Sequence, residues 1–328
     1  MIKRRIIFFV AFFLLLAGGY AQRKSDFAMW EDSIVNLHRS SITEPNSAIR
    51  YEKNETLLYV LEETLGLNNS MSYPFDSIKT IAVVSSPDKK VRIFTWYLVD
   101  TKGTHEHFGF VQAYHPAKKR YMVYPLIDKW QKAAKDNLVA KTLSCDNWFG
   151  ALYTKLIEVK GSNGMTYYTL LGWNGGDIFS QYKVIEVMTI NPNTQQGKPL
   201  FGSQVFRKDG KNMKFTRIVF QYAKKGYMHL GYEKQVYTQR SATRNKKTKQ
   251  YTIEKIPANM IIFNRLIPLR EGLKEIPQIM VGEISINDAF VEQGGKWHLK
   301  LDVIAANPDN KPLPKREQKK RAYYTPVQ

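Results

Sequence analysis

The spacing of its turn signals constrains this chain more than any other feature. Short runs of β-branched and aromatic residues alternate with tight breaks, and few helical stretches intervene. Ile78–Ser85 and Val91–Val99 flank Ser86-Pro87-Asp88-Lys89-Lys90, and Phe108–Tyr114 and Arg120–Tyr124 flank His115-Pro116-Ala117-Lys118-Lys119. Tyr153–Val159 and Thr166–Trp173 meet through Gly161-Ser162-Asn163-Gly164, while Asn174-Gly175 leads toward Tyr182–Ile190. Asp209-Gly210 lies between Leu200–Phe206 and Lys214–Tyr222, and Gly294-Gly295 between Glu283–Glu292 and Lys296–Ile304. Asn-Gly, Asp-Gly and Gly-Gly pairs tolerate positive φ and so join neighbouring antiparallel strands. A parallel α/β fold needs a crossover helix after each strand, for which these connections are too short. The expected fold is therefore mainly β, an antiparallel sandwich or a strongly curled meander. No clean internal repeat supports a regular propeller.

Two amphipathic helices precede the strands. Phe27, Trp30, Ile34 and Leu37 recur at helical spacing after Ser25, an N-cap type, which predicts a helix over about 26–38. A second, over about 47–65, starts near Asn46 or Ser47, carries Leu57, Val60, Leu61, Thr64 and Leu65 on one face, and stops at Gly66. A short helix fits within Leu126–Leu138. With 43% hydrophobic and 13% aromatic residues the chain has material for a real core, and disorder is not the expectation.

The N-terminus reads as a secretory leader. Lys3, Arg4 and Arg5 precede the twelve apolar residues Ile6 to Ala17, and the small residues Gly19 and Ala21 suit a cleavage site. Twelve helical residues cover roughly 18 Å against the ~30 Å of a bilayer core, so the stretch favours a cleaved leader over an anchor. Gln22 rather than a cysteine follows, which speaks against a bacterial lipid anchor. The single cysteine, Cys145, cannot form an intramolecular disulfide. The expected organisation is a signal peptide at 1–21, a helical segment at 22–70, an antiparallel β domain at 71–305 with no transmembrane segment, and a basic tail at 306–328.

The formal net charge is +20, and losing three leader cations would leave about +17. Such an imbalance draws anionic partners. For an exported protein these are acidic polysaccharide, lipopolysaccharide or lipid head groups rather than nucleic acid. Two basic runs concentrate the charge. Arg240, Arg244, Lys246, Lys247 and Lys249 lie in a stretch without an acid, expected as a long hairpin loop. Lys315, Arg316, Lys319, Lys320 and Arg321 lie in a Pro-bearing tail. Tyrosines flank both runs, a mixture that suits anionic polymers. These ten residues are the candidate binding residues, set against the plain reading that charge runs are solvated surface.

Catalytic signals are weaker. His105-x-His107 would share one strand face and could grip a metal, but Gly103 favours exposed turn histidines, and neither a metal nor a cofactor is expected. Cys145 matches no cysteine-nucleophile signature and suits a half-buried apolar thiol. Gly172-Trp173-Asn174-Gly175-Gly176-Asp177 lacks the Lys-Ser/Thr ending of a phosphate loop. Asp177 and Glu186 resemble a glycosidase carboxylate pair only by chance spacing. Trp96, Trp148, Trp173 and Trp297 are expected mainly in the core.

Several segments carry a resemblance: Tyr20-Ala21-Gln22, Asp146-Asn147-Trp148-Phe149-Gly150-Ala151-Leu152-Tyr153 and Tyr167-Tyr168-Thr169-Leu170-Leu171-Gly172-Trp173-Asn174-Gly175. With Gly197-Lys198-Pro199-Leu200-Phe201-Gly202 and Gly295-Lys296-Trp297-His298-Leu299, they resemble uncharacterised exported proteins of Bacteroidota-type Gram-negative bacteria. That resemblance implies an envelope location and an extended β domain, and no activity. The sequence thus favours a non-catalytic envelope protein, periplasmic or extracellular, that binds anionic surfaces or polymers. The alternative is a secreted hydrolase acting on polysaccharide or peptide.

Overall fold

The computed structural model describes residues 24–135, 137–190, 197–244, 247–248, 250–270, 272–273 and 276–303. Strands make up 51% and helices 21% of the described residues, so the protein is mainly β, with open antiparallel or mixed sheets and two N-terminal helices as expected. The chain divides into two compact units. One comprises the described residues of Met1–Asp136, Leu143–Leu156 and Ile190–Phe201; the other comprises those of Asn137–Thr142, Ile157–Thr189 and Gly202–Gln328.

In the first unit, helices α1 (Lys24–Thr43) and α2 (Ser47–Gly66) accompany a four-stranded antiparallel meander. Its strands are β1 (Ala82–Ser85), β2 (Val91–Val99), β3 (His105–His115) and β4 (Arg120–Ile127). Helix α1 runs past the expected end, with the Ser40, Ser41 and Thr43 hydroxyls satisfied by donating back to carbonyls three or four residues earlier. It stops before Glu44, which the following Pro45 disfavours in a helix. Asn46 Oδ1 accepts from the Ile49 amide at 3.2 Å and caps α2. Phe27, Ile34, Leu57, Leu61 and Leu65 then bury against Phe94, Trp96 and Phe110.

A polar network ties the end of α2 to the sheet. Buried Arg92 donates to the Ser70 and Tyr73 carbonyls and, at 2.8 Å, to Gln112 Oε1. Gln112 Nε2 donates to the Leu65 carbonyl, one of the acceptors that a helix end leaves unpaired. Ile78 and Ile81 serve this core instead of extending β1, which explains why the strand is shorter than expected.

The histidines of His105-x-His107 depart from the exposed-turn expectation. The turn is Asp100–Gly103, and both histidines lie buried at the start of β3. His107 Nδ1 sits 3.0 Å from Asp128 Oδ2, and Asp128 also accepts from the His107 and Trp130 amides. Helix α3 (Trp130–Lys135) begins there, shorter than the Leu126–Leu138 span. Gly150 approaches so closely that a Cβ on it would fall 2.4 Å from the Asp128 carboxylate. Here φ is +74°, so glycine is required twice over. β5 (Leu143–Ser144) pairs with β9 (Pro199–Phe201) in the same unit.

In the second unit two sheets enclose one core. β6 (Leu152–Lys160) enters it at Ile157, followed by β7 (Thr166–Asn174) and β8 (Ser180–Ile190), and β12 (Arg217–Ala223) pairs with β8. The other sheet is the meander β13 (Leu230–Arg244), β14 (Tyr251–Pro268), β15 (Met280–Gln293) and β16 (Lys296–Val303). β10 (Phe206–Lys208) and β11 (Lys211–Asn212) extend it beyond β16. Leu171, Ile185 and Val187 of the first sheet pack against Ile261, Phe263, Phe290 and Trp297 of the second. Trp297 Nε1 crosses between the sheets to Thr169 Oγ1 at 2.9 Å.

The run Leu200–Phe206 is not one strand. Gly202 takes φ of +107°, and a Cβ there would lie 2.9 Å from the Lys141 carbonyl and Thr216 Oγ1. Of the four tryptophans expected in the core, Trp96, Trp148 and Trp297 are buried, and Trp173 is half-buried with Nε1 on Gln181.

A cationic cleft along the last strand

The candidate site grows from the alternation in β16. Trp297 and Leu299 face the core between the two sheets, which leaves His298 and Lys300 on the opposite face. In register, His298 sits beside Val291 and Met260, and Lys300 beside Ala289 and Ile262. These four apolar neighbours belong to a second buried cluster with Tyr237 and Val303. Val303 joins it because the pairing slips between Ala289–Lys300 and Asn287–Val303. Asp302 takes φ of +53° at that bulge and donates its amide to Asp288 Oδ1 at 3.0 Å.

The meander is strongly curled. β13 and β16 are separated in the sheet by two strands, yet Tyr237 of β13 meets β16 and β15 directly. The Lys300 ammonium stands 5.2 Å from the centre of the Tyr237 ring and 3.4 Å from Gln239 Oε1. Gln293 Nε2 donates to the Tyr237 hydroxyl at 3.1 Å.

Two cavities open beside Lys300. β10 runs parallel to β16 only through Phe206–Trp297 and Arg207–His298, and then Asp209-Gly210, both at positive φ, reverse the chain. The edge of β16 therefore loses its neighbour, and a cavity of about 280 Å³ opens between Lys208, Asp209, His298, Lys300 and Leu301. A second, of about 180 Å³, lies between Tyr237, Lys255, Lys300 and Asp302. Lys300 and Leu301 line both. Burial, with Arg207 and Lys300 nearby, pushes the His298 pKa below its ordinary value. Two lysines stand beside one carboxylate in each cavity, so the cleft is open and net cationic, with Tyr237 and Val303 of the apolar cluster in the second cavity.

The expected basic loop differs from its sequence reading. Arg240 and Arg244 belong to β13, opposite Ile253 and Tyr251, rather than to a loop. The pairing with β14 is continuous to Arg240 and resumes, after a register shift, at Arg244 opposite Tyr251. Arg244 is exposed, with its guanidinium 5.2 Å from the Tyr251 ring centre, and Lys247 is exposed in the turn. Lys246, Lys249, Lys315, Arg316, Lys319, Lys320 and Arg321 lie outside the described residues, as do the leader 1–21 and the tail 306–328. The structure therefore brings only Arg240, Arg244 and Lys247 to one hairpin end. The cleft residues Lys208, Lys255, His298 and Lys300 were missed. The available signal was His298-x-Lys300 alternating with Trp297 and Leu299 inside a run already read as a strand.

The remaining candidates serve structure. Glu186 is wholly buried against Arg217. Asp177 Oδ1 accepts from the Phe179 and Ser180 amides, so the two carboxylates are already committed to separate tasks. Gly172–Asp177 ends β7 in a turn whose Gly176 amide donates to Asn174 Oδ1. Cys145 is buried, with Sγ 3.7 Å from the Pro199 carbonyl, and burial pushes its pKa up to about 12. Among the described residues, no group of three or more His, Cys, Asp or Glu converges as a metal site. Comparison with protein-family models, curated proteins and solved structures returns no match.

Proposed function

We propose that this is an exported, non-catalytic cell-envelope protein that binds an anionic polymer, and that the cleft around Lys300 is where it binds. The observation that carries the reading is the placement of Lys208, His298, Lys300 and Lys255 along two adjoining cavities that share Lys300, with Tyr237 in the second. A chain of anionic groups laid along β16 would meet one cation after another, with the Tyr237 ring and Leu301 against its less polar parts. The export reading rests on the leader pattern of residues 1–21 and on the segments that resemble those of exported Bacteroidota-type proteins. No helix among the described residues is long and apolar enough to cross a membrane.

The basic runs at 240–249 and 311–321 add long-range attraction, while the cleft supplies the contact. The test is titration with an acidic polysaccharide, polygalacturonate, against its methyl-esterified form at low and physiological salt. Parent protein binds the acid form, more weakly as salt rises, because exposed charges act over only about 8 Å at physiological ionic strength. Lys208→Gln with Lys300→Gln weakens binding about tenfold at unchanged melting temperature. Equal binding of both polymer forms, or an unaffected double variant, overturns the assignment.

A further inference from the structure

The first unit concentrates cations at one end of its four-stranded meander. The strand order sets the β1–β2 and β3–β4 turns side by side, roughly 10 Å apart at two strand spacings. Lys89 and Lys90 stand in the first turn, Lys118 and Lys119 in the second with Arg120 just after it, and all five are exposed. Among the described residues none of them forms an ion pair. The carboxylate within these turns, Asp88, accepts from the Ser86 hydroxyl and, at 3.0 Å, from the Lys90 amide. Glu62 and Glu63, near the α2 end that meets Gln112, are exposed and pair with none of the five. The tyrosines between the turns tie them together. The Tyr114 amide donates to the Lys90 carbonyl at 2.8 Å, the Tyr121 hydroxyl to the Lys89 carbonyl at 3.0 Å, and the two rings meet edge-on with centres 5.4 Å apart.

Two further observations set these turns apart from solvated hairpin tips. Lys89 and Lys119 take φ of +56° and +52°, and each closes its turn by donating its amide three residues back, to the Ser86 and Pro116 carbonyls. The β2–β3 and β6–β7 turns close by the same bond, but there the position is Gly103 and Gly164, at +79° and +77°. Glycine takes that conformation freely, whereas a lysine Cβ crowds the backbone. Two neighbouring turns thus keep a cation where two others in the same chain keep glycine. The second observation is Arg92. It is buried over the Phe75 and Phe94 rings, donates to two carbonyls and to Gln112, and its Nε has no hydrogen-bond partner. No carboxylate is among its partners. Burial lowers its pKa to about 10, and the group that opposes this is the phenol of Tyr121, whose ring is 39% exposed. An exposed aromatic ring therefore stands between an unmatched buried cation and five unpaired surface cations.

We infer that this end of the first unit is a second binding surface for acidic polysaccharide, with a sugar face on Tyr121 and the chain's carboxylates on Lys89, Lys90, Lys118, Lys119 and Arg120. Two cationic tips roughly 10 Å apart suit a chain that crosses both turns, whereas a single small anion would engage one. The ring between them meets the less polar face of a sugar, and Arg92 beneath it keeps the local potential positive. The class of ligand rests on the polymer reading above. The residues are all different from those of the Lys300 cleft and belong to the other unit.

The test uses the whole protein as the expressing cell processes it, titrated calorimetrically at low salt with tetragalacturonate. The parent takes up two molecules per chain, and Lys208→Gln with Lys300→Gln leaves the one at the turns. In that background Lys89→Gly with Lys119→Gly weakens the remaining site about tenfold. Its melting temperature equals or exceeds that of the background, because glycine relieves the backbone at both positions, so the loss is not unfolding. A background that binds nothing overturns this inference and leaves the cleft standing. A parent with one site, lost in the glycine variant and untouched by the Lys208/Lys300 changes, overturns the cleft and leaves the turns. A glycine variant that binds like its background, or single-stranded oligothymidylate bound at the turns as tightly as the sugar, overturns the inference.

Discussion

Arg217 Nε donates to Glu186 Oε1 at 2.7 Å, and both side chains are completely shielded from solvent. The same guanidinium donates from Nη1 to the Leu138 and Lys141 carbonyls, which pins segment 137–142 to β12. Arg217→Met strips Glu186 of its counter-charge and should cost about 3–5 kcal/mol in urea unfolding. Adding Glu186→Met removes the stranded charge, but the Leu138 and Lys141 carbonyls still lose their guanidinium donor and keep the Lys141 amide and the Thr216 hydroxyl. The double variant should therefore recover only part of the loss, and full recovery would show that the pinned segment contributes nothing.

His38 makes the first unit acid-sensitive. It is buried, with Nδ1 2.6 Å from Thr80 Oγ1, its ring edge-on to Trp96, and Nε2 without a hydrogen-bond partner. Burial lowers its pKa from 6.5 to about 4. The unfolded chain therefore binds the extra proton first, and stability falls as pH drops from 6.5 toward 4, then levels off. The full effect is on the order of 3 kcal/mol. His38→Gln should flatten this part of the pH–stability curve relative to the parent, whatever the carboxylates contribute to both. Parallel curves would show that His38 does not drive it.

Cys145 should be silent in the native protein. With its pKa raised to about 12, the thiolate fraction near pH 8 is roughly one part in ten thousand. An aromatic disulfide reagent should leave it unmodified until denaturant is added, and should then titrate the single thiol fully. Rapid labelling without denaturant would mean that the Pro199 side of the pocket opens readily.

Anion binding in the cleft should be proton-linked. His298 has a lowered pKa in the free protein, from burial first and from Arg207 and Lys300 second. A bound anion offsets those cations and raises it, so binding takes up a proton. Affinity should increase as pH falls through the bound-state pKa and level off below the free-state one. Isothermal titration in buffers of different ionisation enthalpy measures the uptake directly, and His298→Gln should abolish it. Unchanged uptake in that variant would place the coupling elsewhere.

The strands that were legible in the sequence were those whose turns announce them. Val91–Val99 and Thr166–Trp173 are bounded by Pro-Asp or Asn-Gly signals and appear almost residue for residue. β13 and β14 were illegible because Lys234, Arg240, Glu254 and Lys255 dilute their apolar alternation, and a charge run sits where the hairpin turns. His105 and His107 were misjudged because the groups that bury them lie elsewhere in the chain. The His105 carbonyl accepts from Trp130 Nε1, and His107 meets Asp128 and Trp148. The cleft was hidden for the same reason. Tyr237 and Lys300 are 63 positions apart, and only the curl of the sheet brings them together.

That curl has a mechanical meaning. Tyr237 and Lys300 come from the first and last strands of one meander, so the distance between them is a measure of how tightly the sheet is wound. A polyanion touching both would act as a chord drawn across an arc, resisting any flattening of the four strands. A filled cleft therefore stiffens the whole arc, and those β13 amides that lie away from its Val236–Thr238 lining sense the occupant through curvature.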